Sequence, residues 1–262
     1  MNKIGKWAAL ALMGAALACG VFALKGFMAE SAAGSSYKEL QEEARKTQPQ
    51  EESTQEAKKQ EPEEKTEEPE PVECPVDFAR ITEECPDCYA WIRIPDTNID
   101  YPIVQSPTDN SFYLDHNPYG DYEYAGAIFT ENLNARDFND PNTVIYGHNM
   151  KNGSMFGQLR LFTKQETLDK NPYFWMFTPN FIFQYRIISC AVVGITGDPY
   201  TTRFTEEDFQ KFIDDTLSRS EIDCGDVTVT TSDRLMTLST CTGDSSTRRI
   251  LQGVLEQVYI AK

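Results

Sequence analysis

The sequence predicts a mostly β fold, a barrel to which a few helices are added. Three observations carry that expectation. Short apolar runs rich in Ile, Val, Phe and Tyr recur from Trp91 to Ile260, divided by turn-forming Pro, Gly, Asn and Asp. One amphipathic helix stands out, beginning at Thr205. No strand–helix–strand rhythm, internal repeat, dinucleotide fingerprint or phosphate loop is present.

Composition narrows the function classes. Lys and Arg number 24 against 41 Asp and Glu, a formal charge of −17. A nucleic-acid groove needs clustered cations, and none occurs. The 7 cysteines in 262 residues are too few for a disulfide scaffold, and their odd number leaves at least one thiol unpaired within a monomer.

In chain order, residues 1–28 form the first segment. Lys3 and Lys6 precede an apolar run from Trp7 to Leu24, closed by Lys25. The run approaches the ~20 residues that cross a bilayer as a helix. Basic residues before it and acidic ones after it orient the N-terminus to the cytoplasm. An uncleaved signal anchor is the first reading. A cleaved signal peptide, with Ser31, Ala32 and Ala33 near the cut, is the second. A lipoprotein signal at Cys19 is the third. All three export the rest of the chain. Residues 29–74 are rich in Glu, Gln, Lys, Pro and Thr. Such composition cannot offset chain entropy by burial, so a disordered, extended stalk is expected. Residues 75–262 then form the folded domain.

Pro75 to Glu84 reads as a short helix with Val76, Phe78 and Ile81 inward. Cys85 and Cys88 are spaced for a redox pair or half a zinc site. With no second such pair, a turn holding two incidental thiols or a facultative disulfide is preferred. Trp91–Ile94 and Ile99–Gln105 read as strands around a Pro95–Asp96 turn. Residues 109–119 form a loop or short helix around Phe112, Tyr113 and Leu114, with His116 a surface residue. Strands follow at 125–129 and 142–146, then helix and turn over 153–168 and a long strand over 181–193. Thr205 caps a helix with Phe209, Phe212, Ile213 and Leu217 on one face. Val227–Val229 and Leu235–Cys241 are expected strands, and Ile250–Ile260 closes the domain.

The chemistry concentrates near the C-terminus. Met236 and Leu238 alternate with Thr237 and Ser239, and Cys241 stands where this strand meets a Gly/Asp/Ser/Thr loop. The loop returns through Arg248 and Arg249 into the last strand. A cysteine nucleophile needs an acid–base partner, usually His. Of the 2 histidines, His148 lies at the end of the apolar strand Thr143–Tyr146. A free thiol has a pKa near 8.5 and is mostly neutral at pH 7. Attack on an amide needs the thiolate, and the departing amine needs a proton, which His148 can supply as general acid. A guanidinium, never losing its charge, can stabilise the oxyanion. Strand parity selects Arg249 for that role, taking Ile250, Val254 and Val258 as barrel interior and Cys241 with Arg249 as the outer face.

Thr237–Cys241 followed by Arg249, with Tyr146-Gly147-His148 upstream, resembles the sortases, and among them the class B sortases of Gram-positive bacteria. The residues 98–105, 234–238 and 205–218 fit the same family, so the resemblance runs from about Asp77 to the C-terminus. It implies an eight-stranded barrel with an N-terminal helical portion and a helix before the cysteine-bearing strand. It also implies a cysteine transpeptidase. A sorting signal on a surface protein is cut after Thr, a thioester forms on Cys241, and an amine of the peptidoglycan precursor, or a pilin Lys, resolves it. Asn110, Leu114, Thr196, Tyr200 and Ser239 match positions lining the signal groove. No metal or cofactor is implied. The enzyme would be held by its N-terminal helix with the catalytic domain outside the cell. The rival functions are a secreted cysteine protease, which would hydrolyse the thioester, and a non-catalytic surface-binding domain in which Cys241 is structural.

Overall fold

The computed structural model describes residues 37–45 and 71–262. The apolar run expected to form an anchor lies outside them, as do residues 46–70 of the expected stalk. The remaining stalk residues include the first correction. Residues 37–44 are helical (α1) and packed on the domain. Tyr37, Leu40 and Ala44 recur at helical spacing and are 5%, 2% and 2% exposed. The Tyr37 hydroxyl donates to the Gly126 carbonyl at 2.6 Å, and Gln41 Nε2 donates to the Asp100 carbonyl at 2.6 Å. Just beyond the helix, Arg45 pairs with Asp100 at 3.5 Å. Here three well-spaced apolar side chains outweigh the acidic surroundings, because each finds a partner in the core.

Helix α2 (Phe78–Glu84) begins at Asp77, whose carboxylate accepts from Arg80 N, and buries Phe78 and Ile81. A disulfide joins Cys85 to Cys88, tying the end of α2 to the first strand. The strands are β1 (Cys88–Arg93), β2 (Asp100–Val104), β3 (Ile128–Thr130), β4 (Asn142–Tyr146), β5 (Tyr173–Phe177), β6 (Phe181–Gly194), β7 (Leu235–Cys241) and β8 (Thr247–Ile260). Between β4 and β5 come a 3-10 stretch (Phe156–Thr163) and helix α3 (Gln165–Lys170). The strands close in the order β1-β2-β3-β4-β7-β8-β6-β5. Closure through β1–β5 pairing leaves the sheet without an open edge. Strand β5 was not expected from the sequence. The expected strand Val227–Val229 is irregular chain, although Val229 is buried against the barrel.

The barrel has two apolar faces. Met236, Leu238 and Leu251 fill the interior with Ile145, Ile187 and Tyr185. Leu235 and Val254 point outward and are covered by helix α4 (Glu206–Ser218) through Phe209, Phe212 and Ile213. Thr205 caps α4, its hydroxyl accepting from Asp208 N at 3.2 Å. The buried stripe ends on Thr216; Leu217 is 37% exposed.

Candidate active site

The site grows from two parallel strands, β4 and β7. Their register pairs Val144 with Thr237, Ile145 with Leu238 and Tyr146 with Ser239. Gly147 N donates to the Ser239 carbonyl at 3.1 Å, carrying the pairing one residue further. His148 therefore comes level with Cys241, and both share the outward parity of Tyr146 and Ser239. Asn149 Nδ2 donates to the Cys241 carbonyl at 2.8 Å and fastens the two strand ends together. Gly147 is required by packing: a Cβ there would stand 2.4 Å from Ile128 Cδ1 and 2.8 Å from the Phe156 ring.

His148 is half-buried, and its Nε2 lies 2.7 Å from the Leu114 carbonyl oxygen. A carbonyl only accepts, so Nε2 carries the hydrogen. That leaves Nδ1 to exchange a proton with the thiol or a leaving amine. Leu114, expected in the groove, contributes this backbone oxygen, while its side chain is 45% exposed. His116 sits on the surface turn, stacked on Phe112 and hydrogen-bonded to Asp115, and takes no part.

Strand register places the two arginines on opposite faces of the sheet. Strand β8 pairs Cys241 with Arg248, Thr240 with Arg249, Ser239 with Ile250 and Leu238 with Leu251. Leu251 is interior, whereas Val254 lies outward beneath α4. Ile250 and Arg248 share the parity of Val254 and therefore the face of Cys241. Arg249 has the interior parity. Its Nη1 is 3.8 Å from the buried Cys190 Sγ and 3.3 Å from Glu221 Oε2, away from the thiol's face. The expectation that Ile250 and Val254 are barrel interior does not hold for Val254. Val254 is buried by a helix outside the barrel, and Ile250 shares its strand parity.

Around Cys241 stands a polar and aromatic frame. The Tyr200 hydroxyl is 3.2 Å from Ser239 Oγ, two residues before the thiol. Burial raises the Tyr200 phenol, the Ser239 hydrogen bond and the Arg248 charge oppose this, and Cys241 adds to it. Tyr200 ends a short 3-10 turn (Asp198–Tyr200) held by buried Asn142, whose Nδ2 donates to the carbonyls of Pro199 and Thr201. The Tyr200 ring stacks on Tyr146, centroids 6.1 Å apart. The Tyr146 hydroxyl donates to Glu131 at 2.9 Å, and burial with the Glu131 charge pushes that phenol up. Asn110 bonds the other Glu131 oxygen and also accepts from Asn132 N. Asn110, Tyr200 and Ser239 thus belong to one frame with Cys241 and His148. Thr196 is exposed in the loop after β6, and among the described residues no hydrogen bond fixes its side chain. Glu131 and Asn149 were not singled out from sequence, Tyr146 entered only within the Tyr146-Gly147-His148 motif, and Arg248 was set aside in favour of Arg249. Outward parity on the strands that carry His148 and Cys241 would have flagged Tyr146.

Residues 92–256 match the Sortase domain family. Sortase B of Listeria monocytogenes is 39% identical over 175 residues, spanning 64% of this chain and 70% of that protein. The Clostridium perfringens sortase B structure superposes with a TM-score of 0.65 at 29% identity, covering 69% of this chain and all of that one. A Staphylococcus aureus sortase B–substrate complex superposes with a TM-score of 0.64 at 28% identity, covering 69% and 84%.

Proposed function

This chain belongs to the sortase family, as a class B cysteine transpeptidase, and we propose that it joins surface proteins covalently to the cell wall. Cys241 attacks the carbonyl of the Thr in a C-terminal sorting signal. His148 protonates the departing amine through Nδ1. The acyl group rests on Cys241 as a thioester until an amine of the peptidoglycan precursor displaces the sulfur and regenerates the thiol. Arg248 stabilises the oxyanion in both steps, because its charge survives at any working pH. The observation that carries this reading is the convergence of three strand ends, with His148 level with Cys241 and Arg248 opposite it.

Tyr200, Ser239 and Leu114 frame the groove for the signal, a reading supported by the solved complex of a relative with its substrate. The Lys-flanked apolar run from Trp7 to Leu24 supports a membrane anchor with the catalytic domain outside. A panel of sorting-signal peptides, incubated with the full-length chain with and without wall-type amines and read by mass spectrometry, tests the function. Amine-ligated peptide is the expected product. Hydrolysed peptide alone, unchanged by added amine, would identify a protease instead.

A further inference from the structure

The end of the barrel opposite Cys241 carries a second cavity, of ≈ 520 Å³. It opens beside Arg234, immediately before β7. That strand runs seven residues to Cys241, about 20 Å at a strand's rise. The cavity is therefore separate from the thiol groove. Its walls are unusually matched. Phe181 and Phe183 line one side, with Phe181 44% exposed. Tyr89 lines another, with the Arg136 guanidinium 5.2 Å over its ring. The fully buried Phe138 packs against both Tyr89 and Phe183 and closes the barrel beneath them.

The polar groups at this cavity are mostly donors. Arg136 is anchored through Nε and Nη2 on Gln105, and Arg234 through Nη1 on Asn139. Neither makes an ion pair among the described residues, although both line the same cavity. The carboxylate on the rim, Asp137, is already hydrogen-bonded to Asn139. Behind the wall lies Tyr185, fully buried, with a hydroxyl that has no hydrogen-bond partner among the described residues. Tyr185 follows the cavity-lining Phe183 on β6 and belongs to the same core cluster. Burial keeps its phenol protonated, so it too offers a hydrogen. A buried hydroxyl without a partner is costly unless something completes it.

We propose that this cavity is a binding site for a small amphipathic oxyanion, a carboxylate or phosphate ester attached to an apolar or aromatic body. The anion would lie between Arg136 and Arg234, and its body against Phe181 and Phe183. Donors from two guanidiniums select an acceptor, and the apolar walls select the body.

Isothermal titration calorimetry on the full-length chain tests this, with phenyl phosphate and N-acetylphenylalanine as probes and N-acetylphenylalanine amide as the neutral control. At least one anion should bind saturably and the amide should not. Arg234→Gln should weaken binding about tenfold or more, the loss expected for a charged hydrogen bond. Arg136→Gln, which removes the second guanidinium, should weaken it by a similar factor and serves if Arg234→Gln does not fold. Cys241→Ala should bind as the wild type does. Tighter binding of phenyl phosphate assigns the site to phosphate esters, and tighter binding of the carboxylate assigns it to carboxylates. Absent saturation by both anions, equal binding of the amide, or affinity unmoved by both substitutions would overturn the proposal.

Discussion

Two adjacent arginines take opposite faces of β8, and strand register separates them. Arg248 faces the Cys241 side of the sheet; Arg249 is tied to Glu221 and the buried Cys190. Losing one oxyanion donor typically costs about 10²–10³ in turnover. Arg248→Ala should lose at least that in transpeptidation with the fold intact by circular dichroism. Arg249→Ala should keep turnover within a few-fold while lowering the melting temperature, because Glu221 and Cys190 lose their partner. The reverse order of activities would return the catalytic role to Arg249. The cysteines are sorted in the same way. Burial is the main cause that pushes the Cys190 thiol up to about 11, so it stays neutral until pH rises towards that value. The thiolate is the reactive species. Iodoacetamide at pH 7.5, followed by peptide mapping, should therefore label Cys241 and spare Cys190. Rapid labelling of Cys190 in the folded protein would contradict its burial.

At the scale of elements, α1 ties the chain's N-terminal side to His148. Tyr37 holds the Gly126 carbonyl. Gly126 has φ +58, and a Cβ on it would stand 2.5 Å from the Leu114 carbonyl oxygen. That same oxygen receives His148 Nε2. Leu40→Ala should cost about 2–5 kcal/mol, the usual range for a buried leucine, read by chemical denaturation. A chain beginning at residue 76 should melt at a lower temperature than one beginning at residue 35. Equal melting temperatures would mean that α1 contributes nothing to the fold. This helix was hard to read because Tyr37, Leu40 and Ala44 sit among charges, and its stabilising contacts are distant in sequence. Helix α4 was legible because the Thr205 cap and its apolar stripe are local signals. Thr205→Ala should cost about 1 kcal/mol; a change near zero would deny the cap its role.

For the whole molecule, β propensity and turn residues were enough to expect a barrel, but not its strand order. Parallel pairing of β4 with β7 brings together chain segments some ninety residues apart, and nothing local encodes it. Both thiol and imidazole were legible, since each ends an apolar strand. The face of β8 was not. Ile250 and Leu251 are both fully buried, one outside the barrel and one inside, so alternation of apolar and polar residues is lost there. Periodicity reports burial, and a barrel with a helix on its outer wall buries both faces. The resulting architecture gathers the proposed chemistry at one barrel end and leaves a cationic, aromatic cavity at the other. Its central claim is that Cys241 carries the acyl group and yields it to an amine. Intact-protein mass spectrometry during turnover of a sorting-signal peptide measures that directly. The account predicts an acyl adduct mapped to Cys241, absent in Cys241→Ala and discharged faster as amine is added. Turnover without any adduct on Cys241, or an adduct whose decay ignores the amine, would contradict it.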